Sequence, residues 1–505
     1  MDPIANLVLG LTLLITFIWL RNSQRLKLTE PPLVPYKYPI IGHTIEFYTE
    51  NETLIKKCRE EYGEIFSLYV FGRVITIVGK ELCPEIFKNH ETFDFGDAHR
   101  DIFPIDDFLY RPRKFFRNVS ASTQIKVSKE FNLYTERIQR QLIKTIDELI
   151  GDGKVLQSPL KFFQYTIARP MVAAMVGEEL CDDEELINSF ACATSDLMTY
   201  LSIPPFLNFI HPVIHKNFII CGTGATARDA RKTRKARLSN KFHREVIKRK
   251  VAPIIEKRMN YMKKLGDACA PQVDMLQHFI NAFRKGYTVD VDVVTDFLIV
   301  NIFASVHNMS TFLTFGVQEF ANHLQFQKEL LDEQEKLYDG STYNLDQINK
   351  MKKLDSFIRE TLRMNIHIVT LEHKTLSSHY TFSNGYQVPE GRIVYIHAQG
   401  IHYDEELQGQ NPHEFNPFRH FERNLPAARI DKSLITFGLG KHACPGRCFA
   451  INGIKLALHF LLLKYNIRTI NDEKVMAKIV GPYKVPNSDK RLIFEKKNLK
   501  KMALP

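Results

Sequence analysis

The chain has 505 residues, 68 Lys and Arg against 57 Asp and Glu, 44% hydrophobic residues, eight Cys and a single Trp. That hydrophobic share with 25% charge excludes a disordered, collagenous or polytopic membrane protein. Eight cysteines are too sparse for a disulfide scaffold, and the net charge of +11 suits an acidic partner or a membrane surface.

Residues 4–20 carry no charge, which is at the short end of what spans a bilayer as a helix. Arg21, Arg25 and Lys27 follow, so a single span would leave the rest of the chain in the cytosol. A cleaved signal peptide would need basic residues before the apolar run and a small-x-small site after it; neither is present. In the cytosol the cysteines stay reduced, and a special thiol would serve a metal or catalysis. Pro31, Pro32, Pro35 and Pro39 make residues 21–45 a basic, stiff spacer.

Helical periodicity dominates beyond residue 46, over 130–150, 227–264, 291–323, 345–363 and 445–465. Strand-like runs occupy 65–72, 74–78 and 387–396, with Gly385 and Gly391 as turn residues. No Gly/Ser-rich linker divides this stretch. The expected fold is therefore mainly α with small β-sheets, one catalytic unit over 46–505 behind a single transmembrane helix over 1–20 and a linker over 21–45. The basic run 228–264 lacks interleaved stacking aromatics and reads as a membrane-facing or solvated helix, with no nucleic-acid partner. Residues 202–220 form an apolar loop.

The strongest chemical signal is Phe437-Gly438-Leu439-Gly440-Lys441-His442-Ala443-Cys444-Pro445-Gly446-Arg447. Pro445 suits the first position of a helix, which would make Cys444 its N-cap, where free N–H groups and the dipole favour a thiolate. Gly438 and Gly440 would let backbone N–H groups approach the sulfur. A buried thiolate on such a loop fits an axial metal ligand. A zinc or redox pair with Cys448 lacks its second ligand pair.

This loop resembles the haem-binding loop of the cytochrome P-450 superfamily, the haem-thiolate monooxygenases, in its eukaryotic microsomal, fungal-like form. Two further motifs occur in the right order. Glu360-Thr361-Leu362-Arg363 resembles that family's E-x-x-R, and Pro412-His413-Glu414-Phe415-Asn416-Pro417-Phe418-Arg419 its P-x-x-F-x-P-x-R. The resemblance implies haem b with Cys444 as the iron's thiolate ligand, pushing electron density that favours O–O cleavage. It further implies a Glu360–Arg363–Arg419 ion network, haem contacts from Phe437, Gly438, Gly440 and Gly446, and propionate partners in His442, Arg117 and Lys374 or His373. The tryptophan common in relatives at the propionates is missing, since the one Trp is Trp19.

The segment Ala304-Ser305-Val306-His307-Asn308-Met309-Ser310-Thr311 aligns with the family's A-G-x-acid-Thr-Thr groove, with His307 for the acid and Asn308 for the threonine. Histidine relays protons near pH 7, whereas an amide orients water without donating as an alcohol does. Ser305 or Ser310 is left to supply a hydroxyl. The departure keeps two other readings open, a haem-thiolate hydroperoxide isomerase or dehydratase that needs no reductase, and a non-catalytic haem-binding protein. As partners the resemblance implies an acidic NADPH-cytochrome reductase, with cytochrome b5 as a second donor, docking at Lys432, Lys441, Arg447 and Lys455. It also implies the endoplasmic reticulum membrane and a small lipophilic substrate, with steroids or sterols ahead of fatty acids, terpenoids and xenobiotics.

Overall fold

A computed structural model describes residues 28–102, 106, 109–201, 227–265, 274–285 and 289–497. The expected anchor, the first part of the spacer, Trp19 and the apolar loop 202–220 lie outside the described residues.

The described chain is mainly helical with four small sheets. The largest holds β1 (Ile65–Val70), β2 (Arg73–Val78), β3 (Phe93–Asp94), β4 (Thr370–Thr375) and β5 (Ile393–Ile396), in the order β1-β2-β5-β4-β3. Phe71 and Gly72 turn the β1–β2 hairpin with φ of 49° and 75°. Two positive-φ residues match the right-handed strand twist and keep the two-residue loop tight. β5 joins β2 in parallel and β4 antiparallel. A separate hairpin, β6 (Lys478–Val480) and β7 (Tyr483–Val485), packs Gly481 against Tyr48.

Six helices position the site: α1 (Phe95–Ile102), α2 (Arg117–Lys129), α3 (Val291–Ile302), α4 (Asn308–Asn322), α5 (Lys352–Met364) and α6 (Arg447–Lys464). α3 and α4 are one rod interrupted by a π-turn over Phe303–His307, which the uniform periodicity of 291–323 does not reveal. Such bulges mark functional sites more often than chance. The rod is long and apolar enough to cross a membrane, yet half of its most apolar stretch is buried inside the protein, as in a core helix. α6 is buried along nearly all its length and packs on α4 through small residues. A Cβ at Gly453 would lie 2.4 Å from the Met309 Cε, and one at Gly316 3.4 Å from a Leu458 methyl.

Two expected runs divide, and the basic one is paired. The run 345–363 is two helices, Leu345–Asn349 with an Asn344/Gln347 capping box, then α5. The break arises because the Glu333 carboxylate accepts the N–H groups of Lys353 and Leu354 at 2.7 and 2.9 Å, supplying α5 with its own anionic N-terminus. The run 387–396 splits at Gly391, φ 76°, into Gln387–Pro389 of a small hairpin and β5 of the main sheet. The basic helix Ala227–Leu265 is extensively ion-paired among the described residues. Arg244 and Lys248 share Asp292 at 2.9 Å each, Arg249 meets Glu185 at 2.6 Å, and buried Arg258 grips Asp274 at 2.6 Å.

Burial also sets an acid limit. It pushes His397, His402 and His459 down to about 3, so each is neutral in the fold. A depressed folded pKa gives stability that is complete above 6.5 and lost as pH falls toward the folded value. The urea midpoint should therefore drop steadily between pH 6.5 and 4, each group contributing roughly 1.4 kcal/mol per pH unit. An unchanged midpoint between pH 7.5 and 5 would contradict this.

Candidate functional site

α5 is the anchor of the site. Arg363 donates from Nε and Nη2 to the two Glu360 oxygens at 2.7 and 2.8 Å, and both side chains are fully buried. Arg419 donates from Nε to Glu360 Oε1 at 3.0 Å. Its Nη groups reach the carbonyls of Gln408, Gln410, Asn411 and Glu414. Arg363 Nη1 donates to the carbonyls of His402 and Pro412, both at 2.6 Å. The network therefore ties α5 to the irregular segment beyond residue 400. The structure brings together all three expected members and adds a fourth, His420, whose Nε2 lies 3.3 Å from Glu360 Oε2. Only its place beside Arg419 could have signalled it. Burial alone would raise the Glu360 pKa, but the Arg363 and His420 contacts outweigh it and hold the carboxyl at about 2.

Arg359, one residue before Glu360 and fully buried, fixes the approach to the cysteine loop. It donates to the carbonyls of Pro426 and Arg429 and to Asp431 Oδ2, at 3.1, 2.9 and 2.9 Å. His402 Nε2 accepts the Ile435 N–H at 3.0 Å. Neither partner stands out in the sequence, because both belong to segments with no periodic pattern.

The loop folds back on itself. The Gly438 N–H meets the Ile435 carbonyl at 2.7 Å, and the Cys444 N–H meets the Phe437 carbonyl at 2.8 Å. Gly438 and Gly440 have φ of 68° and 65°, and a Cβ at Gly440 would stand 2.9 Å from the Phe87 carbonyl oxygen. Both glycines are thus demanded by the backbone. A Cβ at Gly438 would stand in ordinary van der Waals contact, 3.8 Å from Ala443 and from the His442 carbonyl oxygen, so its positive φ is what calls for glycine there.

The expected helix start is corrected. α6 begins at Arg447 with Gly446 as N-cap; Pro445 and Gly446 form a turn, and Cys444 stands two residues before the cap. The cradle survives in another form. Burial pushes the Cys444 thiol up, while the backbone N–H groups of Gly446 and Arg447 and the Arg447 charge pull it back in part.

The propionate candidates divide. His442 is half-buried, with its ring 5.9 Å from His90, and the charges of Asp94 and Arg117 act on it. Arg117 Nη1 lies 3.4 Å from Asp94. His373 is buried between the rings of Phe87 and Phe95 and interacts electrostatically with His442 and Asp94. Lys374 does not join them: its Nζ pairs with Asp101 at 2.8 Å. Strand alternation sends neighbours on β4 to opposite faces, which puts His373 on the side that Lys374 was expected to serve.

On the π-turn, Ser305 Oγ donates to the Asn301 carbonyl at 2.6 Å and Ser310 Oγ to the His307 carbonyl at 3.0 Å, so both hydroxyl protons are spent within the helix. Asn308 Nδ2 likewise donates to the Ala304 carbonyl at 2.9 Å. His307 stacks on Phe303 and its Nδ1 is buried without a partner; burial, with the His367 charge, lowers its pKa to about 4. It is therefore neutral at pH 7 and passes a proton only by accepting at one nitrogen as it gives up another. One turn on, the buried Thr311 Oγ1 also lacks a partner, an alcohol that the motif alignment passes over.

Ala304 and Asn308 are exposed although they sit mid-rod in the interior, and Met309 touches the cysteine helix at Gly453. The rod and the cysteine loop thus bound one internal space. A thiol on a loop shaped by two positive-φ glycines, facing the rod across the Met309–Gly453 contact and with basic side chains nearby, fits a haem. Among the described residues no cluster of three or more His, Cys, Asp or Glu could hold a metal ion.

The fold and this site define a haem-thiolate oxygenase class, and the comparisons agree. The family described as Cytochrome P450 matches residues 31–492, so the chain belongs to the cytochrome P450 family and is an oxidoreductase of the monooxygenase type. Cytochrome P450 monooxygenase 103 of Postia placenta is 26% identical over 518 residues, covering 96% of this chain and 97% of its own. Beta-amyrin 11-oxidase of Glycyrrhiza uralensis is 25% identical over 472 residues, 89% of this chain and 88% of its own. Cytochrome P450 monooxygenase janQ of Penicillium janthinellum is 25% identical over 506 residues, 92% and 93% respectively. The family implies haem with a cysteine thiolate on iron.

Proposed function

We propose that Cys444 is the thiolate ligand of haem iron in a membrane-anchored monooxygenase that inserts one oxygen atom from O2 into a lipophilic substrate. The observation that carries this is Cys444 on a loop shaped by two positive-φ glycines, in a chain whose residues 31–492 match the Cytochrome P450 family. Bound there, haem supplies oxygen activation, with the thiolate's electron donation favouring O–O cleavage. The chain's own residues do the rest. Gly446 and Arg447 would temper the charge on the sulfur; His442, Arg117 and His373 would hold the propionates; Glu360, Arg363 and Arg419 hold the loop's frame. His307 moves protons as a neutral imidazole, and Asn308 orients water through its free carbonyl oxygen.

Residues 1–20 anchor the protein in the endoplasmic reticulum membrane and 21–45 space the cytosolic domain from it. Steroids or sterols are the favoured substrates; the relative named for β-amyrin, a triterpenoid, speaks for the terpenoid alternative. Electrons come from NADPH through an acidic reductase docking at Lys432, Lys441 and Arg447. Lys455 leaves that set, since it is buried against Asp355 at 2.5 Å. With reductase held fixed, turnover should fall as salt rises and fall further in Lys441→Glu, because exposed charges are screened beyond roughly 10 Å at 0.1 M salt. Flat salt dependence would contradict this docking. The function itself is tested by titrating a lipid panel optically and analysing products with reductase and NADPH. Oxygenated product that requires NADPH supports it; conversion of fatty hydroperoxides without NADPH, and of nothing else, overturns it.

A further inference from the structure

β4 carries a bulge with an acid on it. Thr370 pairs with Ile396 and His373 with Val394, so Leu371 and Glu372 together oppose the single residue Tyr395. Leu371 adopts a left-handed φ of 53°, which is unusual for a branched residue. Bulges beside active sites serve to re-aim a side chain. Here the re-aimed one is Glu372, which is buried with Oε1 2.8 Å from Nδ1 of His99 on α1. Among the described residues His99 is its one hydrogen-bonding partner, and a carboxylate accepts about four such bonds. The acid therefore has acceptor capacity left over in a place where water is scarce.

Its surroundings are polar groups set in an apolar wall. Tyr395 packs on the cluster that includes Ile368, Val369 and Ala98, and its hydroxyl has no hydrogen-bonding partner among the described residues. Tyr483 on β7 meets the His367 ring edge-on at 5.1 Å. His367 Nδ1 accepts the Lys484 N–H at 3.0 Å, so its proton sits on Nε2. Tyr395, Tyr483, His367 and His307 are enclosed by protein, yet each keeps accessible surface. They therefore line internal space. Glu372 interacts electrostatically with Tyr395, Tyr483 and His367, and His367 with His307, so the cluster reaches from the bulge to the π-turn.

We propose that this cluster receives the hydroxyl of an otherwise apolar substrate, with Glu372 accepting its hydrogen bond. The inference rests on the monooxygenase reading above, and it narrows the substrate to a lipophilic alcohol. An anionic headgroup would face the Glu372 carboxylate, and an ether or hydrocarbon would leave it unmatched. A site built to bond a hydroxyl rejects the analogue lacking it more strongly than an apolar pocket rejects a missing methylene.

The test titrates purified holoenzyme optically with two matched pairs, dodecan-1-ol against 1-methoxydodecane and cholesterol against its 3-methyl ether. In at least one pair the alcohol should bind tenfold or more tightly than the ether, and Glu372→Leu should bring the two within about twofold. Glu372→Gln keeps the shape, loses the charge and should retain part of the preference; it carries the comparison if the leucine variant loses haem. Equal affinity for alcohol and ether in both pairs, a preference that survives both variants, or no response to either alcohol would overturn the proposal. The reduced carbonyl spectrum separates the two levels. Loss of the thiolate band in the wild type strikes at the monooxygenase reading, whereas a normal band without alcohol preference strikes only at the role of Glu372.

Discussion

Glu360→Ala should yield protein that retains little haem and is destabilised by roughly 3–5 kcal/mol, the cost of stranding one partner of a buried ion pair. Arg363 is fully buried and would lose both carboxylate contacts, while Arg419 would keep its carbonyl contacts but no counter-charge. Glu360→Gln keeps the shape and loses the charge, so it should be intermediate. The sign with pH follows from a folded pKa of about 2 against 4.5 for the free group. The network's contribution is complete above pH 4.5 and is lost as pH falls from there toward 2. In the alanine variant that loss disappears, so acid and neutral midpoints should converge over this window. Haem content by pyridine haemochrome and a urea titration check both statements. Full haem incorporation in Glu360→Ala would remove the structural role assigned here.

Cys444→Ser should abolish turnover while leaving the fold intact. The loop is held by the Cys444 N–H to the Phe437 carbonyl, by the Ile435 N–H to His402 and by two positive-φ glycines, none of which uses the sulfur. The Gly446 and Arg447 N–H groups would then face a hydroxyl, which stays neutral and donates little electron density to iron. Circular dichroism should be unchanged and product formation reduced to background. Retention of substantial activity in the serine variant would exclude Cys444 as the ligand.

How much of this was legible depended on what kind of signal each residue gave. Cys444, Glu360, Arg363 and Arg419 sit in spaced motifs, and the structure assembles the network among the last three as expected. The helix register around them was less legible. Pro445 reads as a first helical residue, but the turn through Gly446 delays α6 to Arg447. Lys374 and His373 were indistinguishable in sequence, because a one-residue difference in strand facing depends on pairing with β3 and β5, and the bulge at Leu371 is a tertiary feature. Ser305 and Ser310 looked available because composition cannot show that their hydroxyls close back onto the helix. His420 and Arg359 were missed for the opposite reason: their partners are backbone carbonyls and a distant acid, which leave no pattern. Lys455 looked like surface charge, yet Asp355 draws it into the core.

The central claim is that Cys444 binds haem iron as a thiolate, and the reduced carbonyl spectrum of the purified protein tests it most directly. The wild type should show the strongly red-shifted Soret band of thiolate ligation, and Cys444→Ser should lose it while still binding some haem. A wild-type band at the position typical of histidine ligation, or a red-shifted band that persists in Cys444→Ser, would contradict the account.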